Sequence, residues 1–166
     1  SAAMKVTQYS EGCGALISDI QLADLSVTQL ADLRTIFAKH GLLFFRDQDF
    51  SPQDHLQFAQ RFGSIVVNKF FRATEQFPEI AEVRKEKEQQ TNIGGGWHTD
   101  HSYDDIPAMG SILVARKLPE TGGDTQFANL ANAYDALSPQ IKSRIENLRA
   151  VHSNKHLYGE NGLYRM

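Results

Sequence analysis

Apolar residues along this chain alternate between two spacings, one of two residues and one of 3.6, and the changes mark its elements. Lys5 to Tyr9 alternates as a short strand does, Gly12 and Gly14 break it, and Ala15 to Ile20 forms a second strand. Ser26 stands as an N-cap before Leu30, Leu33, Ile36 and Phe37, which recur at helical spacing, and Gly41 is placed to end that helix in the left-handed conformation. Leu42-Leu43-Phe44-Phe45 is a continuous apolar run, the pattern of a strand buried on both faces. Arg46 to Asp49 turns the chain. Ser51-Pro52 then opens a helix carrying Leu56, Phe58, Ala59 and Phe62, with Gly63 as its stop.

Beyond Gly63 the pattern is strand-like. Ile65-Val66-Val67, Ile80 to Val83, Ser111 to Ala115 and Thr125-Gln126-Phe127 each read as strands. Phe70 and Phe71 belong to the core by default and otherwise to a pocket wall. Arg84 to Gln90 is a solvated charge run. Asn129 or Asn132 caps a short helix through Leu137. Ser138-Pro139 opens another with Ile141, Ile145 and Leu148 on one face, and Ala150-Val151-His152 begins a strand. Tyr158 to Met166 show little sign of a final packed element. The pattern predicts a mainly β fold with flanking helices, a jelly roll or barrel with helices packed outside. A parallel βαβ sheet is the second reading, because strand and helix alternate early.

Composition narrows the function classes. The 166 residues are one domain's worth, and 41% apolar with 22% charged is ordinary for a globular protein. A net charge of −3 gives no electrostatic case for nucleic acid. No apolar run approaches a membrane span, no leader pattern is present, and the expected location is the cytoplasm. Ser1-Ala2-Ala3 before Met4 reads as a cloning scar. The single cysteine, Cys13, excludes an internal disulfide framework and is expected to be a small, partly buried residue near a turn.

The candidate chemistry sits in Gly94-Gly95-Gly96-Trp97-His98-Thr99-Asp100-His101-Ser102-Tyr103-Asp104. The glycines give backbone freedom but lack the Lys-Ser/Thr of a phosphate loop. His98 and Asp100, one residue apart, offer two of the three ligands of a facial iron site. With six His and 11 Asp in the chain, chance alone supplies about 0.4 such pairs, so the pair needs support from elsewhere.

That support is an ordered set of pieces. Gly41-Leu42-Leu43-Phe44-Phe45-Arg46-Asp47-Gln48, Phe58-Ala59-Gln60-Arg61-Phe62-Gly63, Trp97-His98-Thr99-Asp100, Leu118-Pro119-Glu120-Thr121-Gly122-Gly123-Asp124-Thr125 and Ala133-Tyr134-Asp135-Ala136-Leu137-Ser138 occur in this order. Together they resemble the taurine dioxygenase (TauD/TfdA) family of Fe(II)- and 2-oxoglutarate-dependent dioxygenases. The resemblance implies a double-stranded β-helix, the cupin-like jelly roll, here a single catalytic domain over 1–166. It implies Fe(II), with 2-oxoglutarate and O2 as co-substrates. It implies oxidation of a C–H bond of a small organic, acidic substrate, with release of succinate and CO2. It also implies a homo-dimer or homo-tetramer. Position by position, His98 and Asp100 match the metal ligands, and Thr125 matches the hydroxyl that binds a 2-oxoglutarate carboxylate. A neutral imidazole and a carboxylate suit Fe(II), and the ligand His should bond an acceptor through its other ring nitrogen.

Two departures from the family pattern follow. The third iron ligand and the co-substrate Arg lie far toward the C-terminus in that family, and neither appears before Met166. His152 and His156 are the available substitutes, with the weight against His152; Arg144, Arg149 and Arg165 match no co-substrate motif. The site is therefore expected to need residues C-terminal to Met166. A truncated product acting as an incomplete jelly-roll binding or structural module is the alternative, and completion by a partner chain comes last. The second departure concerns substrate. Positions that hold sulfonate in the taurine enzymes read Asn68 and Phe71 here, and the position four before His98 is Gly94 rather than Asn. These departures point away from taurine, and Phe70, Phe71 and Tyr103 suggest a more apolar or aromatic substrate. Lys69 and Arg72 read first as solubilising charges.

Overall fold

The computed structural model describes residues 4–68, 71–92, 94–158 and 164–165. It divides into two compact units, one of residues 1–64 with 114–142, the other of 65–113 with 143–166. Lys69, Phe70 and the side chain of Arg165 lie outside what is described.

The first unit is built on three strands, β1 (Lys5–Gln8), β2 (Ala15–Ser18) and β3 (Leu43–Phe45), and two helices, α1 (Val27–His40) and α2 (Pro52–Phe62). β1 pairs antiparallel with β2, and β2 pairs parallel with β3. β2–α1–β3 is thus a βαβ unit, the arrangement expected by the second sequence reading. Its core is Ala15, Ile17, Ile20, Leu22, Leu25, Leu33, Phe50 and Phe58, all buried. Each large aliphatic side chain taken fully out of water contributes about 1.5–3 kcal/mol. β3 is half-buried along its length, not buried on both faces as its apolar run suggested, and it lies at an edge of the sheet.

Local signals placed both helices. Ser26 and Gln29 form a reciprocal capping box at the start of α1, and Gly41 closes it at φ +70° with its N–H donating to Phe37 O. Ser51 and Asp54 form the same box on α2, with Pro52 at its first position. Arg34 of α1 donates to Arg61 O and Phe62 O, so it caps the C-terminus of α2, and its guanidinium lies 5.0 Å from the Phe62 ring centre. Two glutamines join the loops at the sheet's end. Gln48 accepts from Leu22 N–H and donates to Ile20 O, and Gln21 donates to Asp47 O and accepts from Asp49 N–H. The sequence reading saw only a turn there.

Asp54 carries a pH prediction. Hydrogen bonds from the Ser51 backbone N–H, and then from the Ser51 hydroxyl, hold its carboxyl below the ordinary 3.8. A depressed folded-state value means that the bonds stabilise above the unfolded value and are lost as pH falls through the folded one. The melting-temperature difference between wild type and Asp54→Asn should therefore be present at pH 6 and shrink below about pH 4. A difference independent of pH would show that the charge is not what caps the helix.

Further along, Asn129 caps α3 (Leu130–Asp135) by accepting from Ala131 and Asn132 N–H. Asn132 is not the cap; it donates to Gly12 O in the β1–β2 turn, where Cys13 is half-buried as expected. α4 (Pro139–Ile145) starts at Ser138-Pro139 as read, but it stops before Leu148. Ile141 and Ile145 are only partly covered and Leu148 is largely exposed, so the expected apolar face is not part of the buried core.

The second unit has little regular structure. β4 (His152–Ser153) pairs with β5 (Tyr164–Arg165), with α5 (Lys155–Tyr158) between them, so the last residues do carry a pairing element. The strand expected at Ile80 to Val83 is reduced to one bridge, Ala73 to Ala81. The runs Ile65–Val67, Ser111–Ala115 and Thr125–Phe127 form no strands. Val66, Val67, Leu113 and Phe127 are roughly half exposed or more. A strand exists only by pairing its N–H and C=O groups in a ladder with a neighbour, and these runs enter no sheet among the described residues. Among the described residues the sheets are small, helical residues outnumber strand residues, and no closed jelly roll is formed.

Candidate active site

Every group of the candidate ligand segment lies within the second unit, between Gly94 and Asp104. Gly94 sits at φ +69°, a left-handed turn that sends the chain back over itself. The His98 ring lies directly over it. A Cβ on Gly94 would fall 2.9 Å from His98 Cε1, so only glycine leaves room for the imidazole. His98 Nδ1 is 2.8 Å from Gly96 O. A carbonyl only accepts, so Nδ1 donates to Gly96 O and Nε2 is the nitrogen turned toward Asp100. Nε2 in turn is 3.3 Å from Asp100 Oδ1. Both side chains are open to solvent, at 54% and 66%.

This donor set fits a divalent transition metal. Metal–donor lengths of about 2.1 Å place adjacent donors on one ion about 3 Å apart, close to the observed separation. The acceptor that orients the His98 imidazole, which the sequence left unnamed, is the Gly96 carbonyl. Among the described residues no three His, Cys, Asp or Glu side chains converge as a metal site. His152 and His156 therefore do not complete it there; His152 lies exposed on β4.

The other candidates are placed as follows. Tyr103 is half-buried with its ring 5.6 Å from that of His101. Asn68 is half-buried and accepts from Phe71 N–H at 3.0 Å, which makes it a turn residue beside a half-buried Phe71. Thr125 is exposed in the first unit, shortly before α3. The structure thus brings Gly94, His98 and Asp100 together, and the second unit also holds Asn68, Phe71 and Tyr103. Sequence reasoning assigned no role to His101 or Asp104, which form a second pair with Nδ1 to Oδ2 at 3.0 Å. Their i, i+3 spacing immediately after Asp100 was the signal that would have found them.

Comparison with known proteins decides the family. The family described as "Taurine catabolism dioxygenase TauD, TfdA family" matches residues 5–164. The chain belongs to the TauD/TfdA family. An (S)-phenoxypropionate/alpha-ketoglutarate-dioxygenase of Sphingobium herbicidovorans is 31% identical over 156 residues, covering 92% of this chain and 54% of that protein. An alkylsulfatase of Acinetobacter baylyi is 36% identical over 148 residues, covering 88% and 46%. Among solved structures, a taurine dioxygenase from Burkholderia xenovorans matches with a TM-score of 0.79 at 30% identity, covering 91% of this chain and 54% of that one. AAD-2, in complex with Mn(II) and N-oxalylglycine, matches at 0.72 and 30%, covering 92% and 53%. The chain spans about half the length of the curated relatives it matches. Among its described residues no helix is long and apolar enough to cross a membrane.

Proposed function

We propose that this TauD/TfdA chain carries the metal-binding segment of an Fe(II)- and 2-oxoglutarate-dependent dioxygenase acting on a small organic acid. The observation that carries the proposal is the His98–Asp100 geometry, with Nε2 and Oδ1 3.3 Å apart and Nδ1 tied to Gly96 O. His98 and Asp100 would hold the ion, and the Thr125 hydroxyl would donate to a carboxylate oxygen of 2-oxoglutarate. Bound Fe(II) supplies open positions for 2-oxoglutarate and O2, and the coupled reaction oxidises a substrate C–H bond with release of succinate and CO2. The reading of an incomplete binding module has less support, because the relatives are named as dioxygenases and an alkylsulfatase.

For the substrate, Phe71 and Tyr103 supply aromatic surface, Gly94 removes the side chain beside His98, and Asn68 holds its turn. These features favour an aryl or alkyl acid over a sulfonate, and the name of the Sphingobium relative includes phenoxypropionate, an aryloxy acid. The protein is read as cytoplasmic, working on a free small molecule without nucleic acid or membrane, as a homo-dimer or homo-tetramer. Anaerobic titration of the intact protein with Fe(II) and 2-oxoglutarate should produce the visible charge-transfer band of the chelate. No band at saturating ligand would refute the assignment. In air, succinate release should be faster with aryloxy or alkyl acids than with taurine; brisk taurine turnover would overturn the substrate reading alone.

A further inference from the structure

We infer that His101 and Asp104 form a clasp that positions Asp100 toward His98. The inference rests on the metal-binding reading just given and adds two residues to it. Asp100 has only two side-chain torsions, so the place and local conformation of its backbone limit where its carboxylate can reach. That backbone is bent immediately afterwards. His101 sits at φ +54°, in the left-handed region that β-carbon-bearing residues rarely occupy. Such a conformation persists only where its surroundings hold it.

The surroundings here are specific. Asp104 N–H donates to His101 O at 3.0 Å, closing a turn over His101-Ser102-Tyr103-Asp104. The His101 ring donates from Nδ1 to Asp104 Oδ2, also at 3.0 Å, and the two side chains are 24% and 27% exposed. The ring rests near Tyr103, with centres 5.6 Å apart. Backbone and side chain therefore bond the same two residues twice. At the other end of the segment, Gly94 turns left-handed and the Gly96 carbonyl fixes the His98 ring. The His-x-Asp pair is thus held between two left-handed positions, one a glycine and one a histidine tied by its own side chain. His101 and Asp104 are positioning residues, since they act on the ion only through Asp100.

The test uses two substitutions that both accept φ +54°. His101→Gly keeps the turn but loses the ring–carboxylate bond. His101→Asn also tolerates the left-handed region, and its amide N–H can replace Nδ1–H. Mn(II) binding to the intact protein is measured by electron paramagnetic resonance, with the thermal midpoint followed in parallel. His101→Gly should weaken Mn(II) binding about tenfold, and His101→Asn should restore it to near wild type. Equal affinity of His101→Gly and wild type, or failure of His101→Asn to recover, overturns the clasp. His98→Ala is the control for the underlying reading. If it loses Mn(II) while His101→Gly does not, the metal assignment stands and the clasp falls. If wild type binds no Mn(II), both fall.

Discussion

His98→Ala and Asp100→Ala should each lower Fe(II) or Mn(II) affinity of the intact protein by at least about 100-fold. This exceeds the about 10–100-fold typical of losing a residue that merely supports a ligand. The fold should not notice. Both side chains are more than half exposed, and they contact each other and the Gly96 carbonyl rather than the core. Exposed substitutions of this kind change stability by about 0.5 kcal/mol or less, so the melting temperature should move by only about 1–2 °C. Separation of the two readouts is the point of the experiment. A structural histidine would cost stability and leave metal binding alone, whereas a ligand does the reverse. Wild-type Mn(II) affinity in both variants, measured by calorimetry, would remove the segment from the metal site.

What the sequence made legible, and what it did not, follows from the range of the forces involved. Ser26, Gly41, Ser51 and Pro52 act within one helical turn, so α1 and α2 were readable to the residue. The His98–Asp100 pair was readable as a pattern, and its place in the family came from ordered pieces spread over the chain. The strand runs behind the jelly-roll expectation were less reliable signals, and no closed jelly roll forms among the described residues. Ser111–Ala115 and Thr125–Phe127 have strand composition, but a strand requires a partner edge, and composition does not supply one. The exposure of Leu113 at 77% and Leu130 at 65% shows how much apolar surface in this stretch has no cover among the described residues. Contacts with no local signature were also missed. Gln21 and Gln48 join loops about 27 residues apart, and Arg34 reaches the end of a helix that has not begun at its own position. The His101–Asp104 pair was missed for a different reason: its meaning depends on a left-handed backbone that histidine does not advertise.

Gly94→Ala should weaken metal binding between about 10- and 100-fold while costing the fold only about 1 kcal/mol. Two effects combine at this position. At φ +69° any Cβ is strained, which accounts for the loss of stability. The new methyl would also stand 2.9 Å from His98 Cε1 and 3.5 Å from Nε2, closer to Cε1 than real Cβ atoms approach. The His98 ring is the outer end of an exposed side chain, so it can swing aside at little cost to the fold. The same swing takes Nε2 from its place beside Asp100 Oδ1 and breaks the bond between Nδ1 and Gly96 O. Function should therefore suffer far more than stability. Gly41 provides the matched control: its φ is +70° and nothing lies within 4 Å of where a Cβ would be. Gly41→Ala should show a similar stability loss in denaturant titration and wild-type Mn(II) affinity. If the two alanine variants bind Mn(II) equally well, the imidazole is not held by its contact with Gly94, and the glycine serves only the backbone turn.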